Sequence, residues 1–144
     1  PATEEELAQI DRLDPKDDLE TLLRRASRDE KPAVCAAATA RLRSDPAFLE
    51  LMAAALDSGY AEPALSFVRD AELTPAEKAR FARPALNALG RWVNSAPAPN
   101  YTTADHFKRT LRWGDELFRV LPEKFAGTGV DFTELKAWYE EKMK

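Results

Sequence analysis

Two side chains in this 144-residue sequence are single copies of residue types that do chemistry: Cys35 and His106. A thiolate becomes a nucleophile when a helix N-terminus or a neighbouring cation lowers its pKa. Cys35 lies within "DEKPAVCAAATARL", residues 29–42, just after Lys31 and Pro32, so a helix start and one cation are close in sequence. The same stretch is the densest alanine patch of the chain. A free cysteine among small apolar residues behaves as a small hydrophobe, and Val34, Ala37, Ala38 and Leu42 place Cys35 in such a setting. His106 would have to serve any nucleophile–histidine–acid triad. No G-x-S-x-G motif accompanies it, and no second histidine stands at helical spacing to share a metal. It reads as a non-catalytic side chain in the first turn of a helix.

Other chemistry-bearing groups give the same answer. The secondary amine of Pro1 is a potential base, but nothing around it in sequence supports that role. The acidic runs "EEE" at 4–6 and "DD" at 17–18 sit where helices should begin. There the macrodipole favours negative charge, and nothing drives paired pKa values apart as acid–base catalysis needs. "GTG" at 127–129 lacks the strand, helix and lysine of a phosphate loop. No catalytic residue, cofactor or metal is expected.

The basic residues are more informative. Arg80, Arg83 and Arg91 fall opposite the Phe81/Trp92 stripe of one amphipathic segment. On the next, Lys108, Arg112 and Arg119 lie within about 40° of one another at 100° per residue, with Asp115 interrupting the line. Trp113 sits at the edge of its apolar stripe and is the tryptophan expected to be partly exposed. Arginine and exposed aromatics are favoured interface anchors. The expected partner-binding set is therefore Arg80, Arg83, Arg91, Lys108, Arg112, Trp113 and Arg119, facing another protein with an acidic surface. Nucleic acid, bound through the basic faces at 80–91 and 108–119, is the first alternative. It is weakened by a net charge of −4 and a pI near 5.2. An enzyme using His106 and carboxylates is the second.

These faces need helices to carry them, and the sequence reads as helix after helix. Thr3 with Glu6 makes a capping-box pattern ahead of Leu7, Ile10 and Leu13. Asp14–Pro15, Lys31–Pro32, Asp45–Pro46 and Glu62–Pro63 each place proline where its missing N–H costs nothing. Thr74-Pro75-Ala76-Glu77 combines a cap, a first-position proline and a capping box. A helix from 75 to about 94 follows, with Pro84 expected to kink or break it. "SAPAPN", 95–100, reads as a loop. Helices over about 103–121 and 132–143 complete the chain, the first punctuated by Pro122. The fold expected is all-α, with about seven or eight helices in a single domain over 1–144.

The prolines also keep time. Pro15 to Pro46 and Pro32 to Pro63 are both 31 residues apart. Leu19, Leu22, Leu23 and Ala26 superpose on Leu49, Met52, Ala53 and Leu56 at an offset of 30, and Val34 and Ala37 on Leu65 and Val68 at 31. Each unit is a helix pair that cannot bury both its faces without stacked neighbours. Over residues 14–72 the pattern resembles a short HEAT-like repeat. Asp29, Pro32, Val34, Ala37, Ala38 and Leu42 match its second helix, and Cys35 stands where an arginine is common. The resemblance implies antiparallel helix pairs stacked as an α-solenoid with a protein-binding face. Residues 73–144, with longer helices, read as a diverged repeat or a cap.

The remaining numbers set bounds. A chain this long buries roughly 68–70% of its unfolded surface, and a lone cysteine makes an internal disulfide impossible. No apolar run reaches the roughly 18 residues of a membrane span. The acidic N-terminal stretch lacks the order of a signal peptide, so a soluble, cytoplasmic protein is expected. Charge is unevenly spread: residues 1–72 carry 16 acids and 9 bases, residues 73–144 carry 9 acids and 12 bases. The packing role given to Cys35 is open to test. A thiol reagent should label it slowly in the native protein and quickly in denaturant; rapid native labelling would reject that role.

Overall fold

Hydrogen-bonding side chains decide where several helices of this chain begin. The computed structural model describes residues 3–59 and 61–144. Thr3 Oγ1 accepts from the Glu6 N–H at 3.1 Å while the Glu6 carboxylate accepts from the Thr3 N–H at 3.2 Å. That capping box opens α1, Glu4–Arg12. Thr74 and Glu77 repeat the arrangement at 3.1 and 3.0 Å, with Pro75 as the first residue of its helix. Such a cap contributes about 0.5–2 kcal/mol.

Among the described residues there are eight α-helices, one short 3-10 turn and no strand. After α1 come α2 (Leu19–Arg25), α3 (Pro32–Arg43), α4 (Phe48–Leu56), α5 (Ala61–Asp70), α6 (Pro75–Ser95), α7 (Ala104–Lys124) and α8 (Thr133–Lys142). None is long and apolar enough to cross a membrane. The chain divides into two compact units, Pro1–Leu73 and Thr74–Lys144.

In the first unit α1 and α2 pack on α3, α4 packs on α5, and α2 meets α5. Leu22, Leu23, Val34, Ala38, Leu42, Met52, Leu56, Leu65 and Val68 are all buried. Their spacing of three and four residues is what puts one stripe of each helix inside. Phe48 and Phe67 meet edge to face at 6.0 Å. The Arg41 Nε donates to the Leu13 carbonyl at 2.8 Å, occupying an acceptor just beyond the end of α1. Arg69, buried, forks onto Asp70 at 2.8 and 3.1 Å.

Two helix starts differ from the sequence expectation for one reason. The Asp14 carboxylate accepts from the Lys16 and Asp17 N–H groups, and the Asp14 N–H donates to Asp18. Residues 15–18 are thereby held in a turn, and α2 begins at Leu19 rather than at Pro15. Asp45 likewise accepts from Ala47 at 2.7 Å, and α4 begins at Phe48. Short acidic side chains offer the backbone a local alternative to the helix.

The second unit is built on α6, α7 and α8. Helix α6 runs unbroken through Pro84, against the expected break. Proline removes one ladder bond, and buried Phe81, Ala82, Ala85 and Ala88 anchor the helix on both sides of it. Helix α7 likewise continues past Pro122 to Lys124. Phe125 and Phe132 stack at 6.2 Å across the connection to α8, where Gly127 and Gly129 take left-handed backbone. Lys142 of α8 donates to the Val93 and Asn94 carbonyls at 2.7 and 3.0 Å, occupying acceptors left open at the C-terminal end of α6.

Helices α7 and α8 make a close side-chain contact at Gly114. The Tyr139 ring lies directly over Gly114, where any added Cβ would collide with it. The ring also stacks on Phe118 at 4.7 Å. Overpacking of this kind costs about 1–3 kcal/mol. Gly114→Ala should therefore lower unfolding free energy by about 1–3 kcal/mol in urea melts. Gly59→Ala, where a Cβ meets nothing within 4 Å, should stay within about 0.5 kcal/mol of the parent.

Candidate functional site

The single-copy residues fall where packing and solvent put them. Cys35 is half-buried, and its thiol donates to the Ala26 carbonyl at 3.3 Å, at the end of the preceding helix. His106 is exposed; its backbone N–H donates to Thr103 Oγ1 at 3.2 Å, which caps α7. Among the described residues no group of three or more His, Cys, Asp or Glu is placed to hold a metal ion. Pro1 lies outside the described residues.

The seven residues expected to bind a partner all fall in the second unit, on more than one surface. Arg91 lines a shallow groove of about 570 Å³ with Leu86, Gly90 and Asn94 of α6 and Leu135 and Trp138 of α8. Arg119 lines a separate cleft of about 730 Å³ with Phe118 and Pro122 of α7 and Lys136 and Tyr139 of α8. Asp131, just before α8, borders both. Arg83, Lys108 and Arg112 are exposed, whereas Arg80 is half-buried with its side chain engaged.

Trp113 is half-buried, and the tryptophan presented to solvent is Trp138, 44% exposed. Trp138 was missed because Leu135, Trp138 and Tyr139 read as one apolar stripe. Only one of the two adjacent aromatics can point inward, and the space over Gly114 takes Tyr139. Among the described residues Tyr101, 83% exposed at the end of the 3-10 turn, is the other exposed large hydrophobic side chain.

Asp115, read from sequence as an interruption of the basic line, has a specific task. It accepts the Tyr139 hydroxyl hydrogen bond at 2.9 Å, with the Leu111 carbonyl a second acceptor at 3.3 Å. A buried hydroxyl without such a partner would be costly. Burial first, and then the Asp115 carboxylate, push the Tyr139 phenol well above its ordinary range. The Asp131 carboxylate is held below its usual range by the Thr133 hydroxyl and N–H, which donate to it at 2.6 and 2.9 Å.

No protein-family model, curated protein or solved structure shows significant similarity to the chain.

The tyrosine gives a pH dependence with a definite sign. An unfolded tyrosine titrates near 10, and the folded one holds its proton to higher pH. Its contribution is complete below pH 10 and is lost as pH rises beyond it, because the unfolded state then binds fewer protons than the native one. The unfolding midpoint in urea should fall between pH 9 and 11.5. In Tyr139→Phe the decline should be shallower; equal slopes would show that Tyr139 is not responsible.

Proposed function

We propose that this chain is a non-catalytic protein-interaction module. The observation that carries the reading is Trp138, exposed on the α6–α8 groove that Arg91, Leu86 and Leu135 also line. A large aromatic and an arginine with apolar side chains are the composition of an interface anchor. The groove is open and shallow, a shape suited to a helix or loop of a partner rather than to a small substrate enclosed on most sides.

The HEAT-like reading belongs with this proposal. Helices α2 and α3 form one packed pair and α4 and α5 another, and α2 touches α5, which supports stacked helix pairs over residues 14–72. An α-solenoid offers an extended surface for protein partners. A cytoplasmic setting is in keeping with a single free thiol.

Affinity capture from the native source tests the reading. Trp138→Ala and Arg91→Glu should each weaken capture of a specific protein by about tenfold or more, the scale of an interface anchor. Trp138 is exposed, so the thermal melt of Trp138→Ala should stay close to the parent. A captured set unchanged by either variant would reject the groove. If the captured species were instead nucleic acid, binding would fall steeply with salt, and the module reading would give way to the nucleic-acid one.

A further inference from the structure

The outward face of α7 gathers four exposed cations on one helix. Several basic side chains elsewhere are tied down: Arg24 to Glu20, Arg25 to Glu30, Lys31 to Glu6, Arg28 and Arg69 to Asp70, and Lys142 to two carbonyls. Among the described residues Arg12, Lys16, Arg83 and Lys136 are exposed without such a partner, but each is alone on its own segment. On α7, Lys108, Arg109, Arg112 and Arg119 are all exposed, and among the described residues none makes an ion pair or side-chain hydrogen bond. Partners stand at helical spacing on the same helix. Asp105 is four residues before Arg109, Glu116 four after Arg112, and Glu123 four after Arg119. Asp115, four before Arg119, is taken by the Tyr139 hydroxyl. Four cations thus stand along one helix with nothing to break before they meet an incoming anion.

Their spacing says what kind of anion. Lys108 and Arg112 are one turn apart, about 6 Å, and Arg119 lies about 10 Å further along the same line. Between them the sign reverses at exposed Asp115. A phosphate chain, uniformly negative, would be repelled at that point. A polypeptide that alternates carboxylates with a base would not. The geometry points to the outer face of α7 as a docking surface for an acidic helix of another protein, with carboxylates at i, i+4 and i+11 and a basic residue near i+7. This rests on the module reading above and names the partner's chemistry at a second surface, apart from the α6–α8 groove. Exposed charge pairs of this kind set register and on-rate more than raw affinity, so binding should be weak for a short peptide and strongly dependent on charge order.

The test uses the full chain and a helical peptide of about 18 residues, long enough to hold its helix. It carries Glu at i, i+4 and i+11 and Lys at i+7, and binding is read by fluorescence anisotropy at low salt. The expected result is saturable binding that weakens at least tenfold in the triple variant Lys108→Glu, Arg112→Glu, Arg119→Glu. A sign-exchanged peptide, with Lys in place of the three Glu and Lys kept at i+7 opposite Asp115, should bind that variant and not the parent. A scrambled peptide of the same composition should bind the parent several-fold more weakly. Absence of binding, equal binding of the scrambled peptide, failure of the sign-exchanged pair, or stronger binding of a single-stranded oligonucleotide would each overturn the proposal. If Trp138→Ala still abolishes protein capture while the peptide does not bind, only the α7 surface falls. If the peptide binds but no protein is captured through either surface, the module reading falls and the charge complementarity of α7 stands.

Discussion

The second unit depends on one close contact, the seat of the Tyr139 ring over Gly114. It lets α8 approach α7 without an intervening Cβ. The ring is then sandwiched by neighbours, stacked on Phe118 at 4.7 Å and 6.0 Å from Trp92 of α6. One aromatic side chain thereby reaches both of the other helices. Its hydroxyl would be an expense in that position without the Asp115 carboxylate, which satisfies it from the solvent side of α7. Trp138 is exposed as a consequence, since successive residues of a helix point about 100° apart. The groove and the packing are two faces of a single decision about which aromatic goes inside.

The helices were legible because their signals are local. Thr3, Thr74 and the first-position prolines at 32 and 75 act within a turn of themselves, and they open helices where expected. The apolar stripes at Leu22, Val34, Met52, Leu65 and Phe81 are buried as their spacing requires. What was not legible depends on competition between nearby groups. Asp14 and Asp45 each have two ways to satisfy backbone N–H groups, and the turn wins over the helix start. Pro84 and Pro122 are tolerated because burial of their neighbours outweighs one lost ladder bond, a balance that no local pattern encodes.

The candidate surfaces were legible only as residue types. The bases of α7 were correctly placed outward by angle alone, since an exposed stripe needs nothing but the helical period. Whether those bases are neutralised within the chain depends on where carboxylates end up, and Asp115 shows how far that can be from the reading by sequence spacing. Trp113 is partly exposed as expected, but the greater exposure of Trp138 was not legible because the deciding factor, the gap over Gly114, lies across a helix interface. Charge is similarly redistributed. Glu6 is engaged by Thr3 and Lys31, and Asp14 and Asp18 by backbone N–H groups, while four uncommitted cations lie along α7.

The fit between positions 114 and 139 also restricts the order in which this sequence can change. A side chain at 114 costs stability while a tyrosine occupies 139, but a smaller residue at 139 removes the obstacle. Lineages that leave glycine at 114 therefore lose least by passing first through a replacement at 139. That first step strips Asp115 of its hydroxyl donor and frees one carboxylate on α7. Drift inside the helix interface would thus alter the charge pattern on the outer surface before any surface residue had mutated.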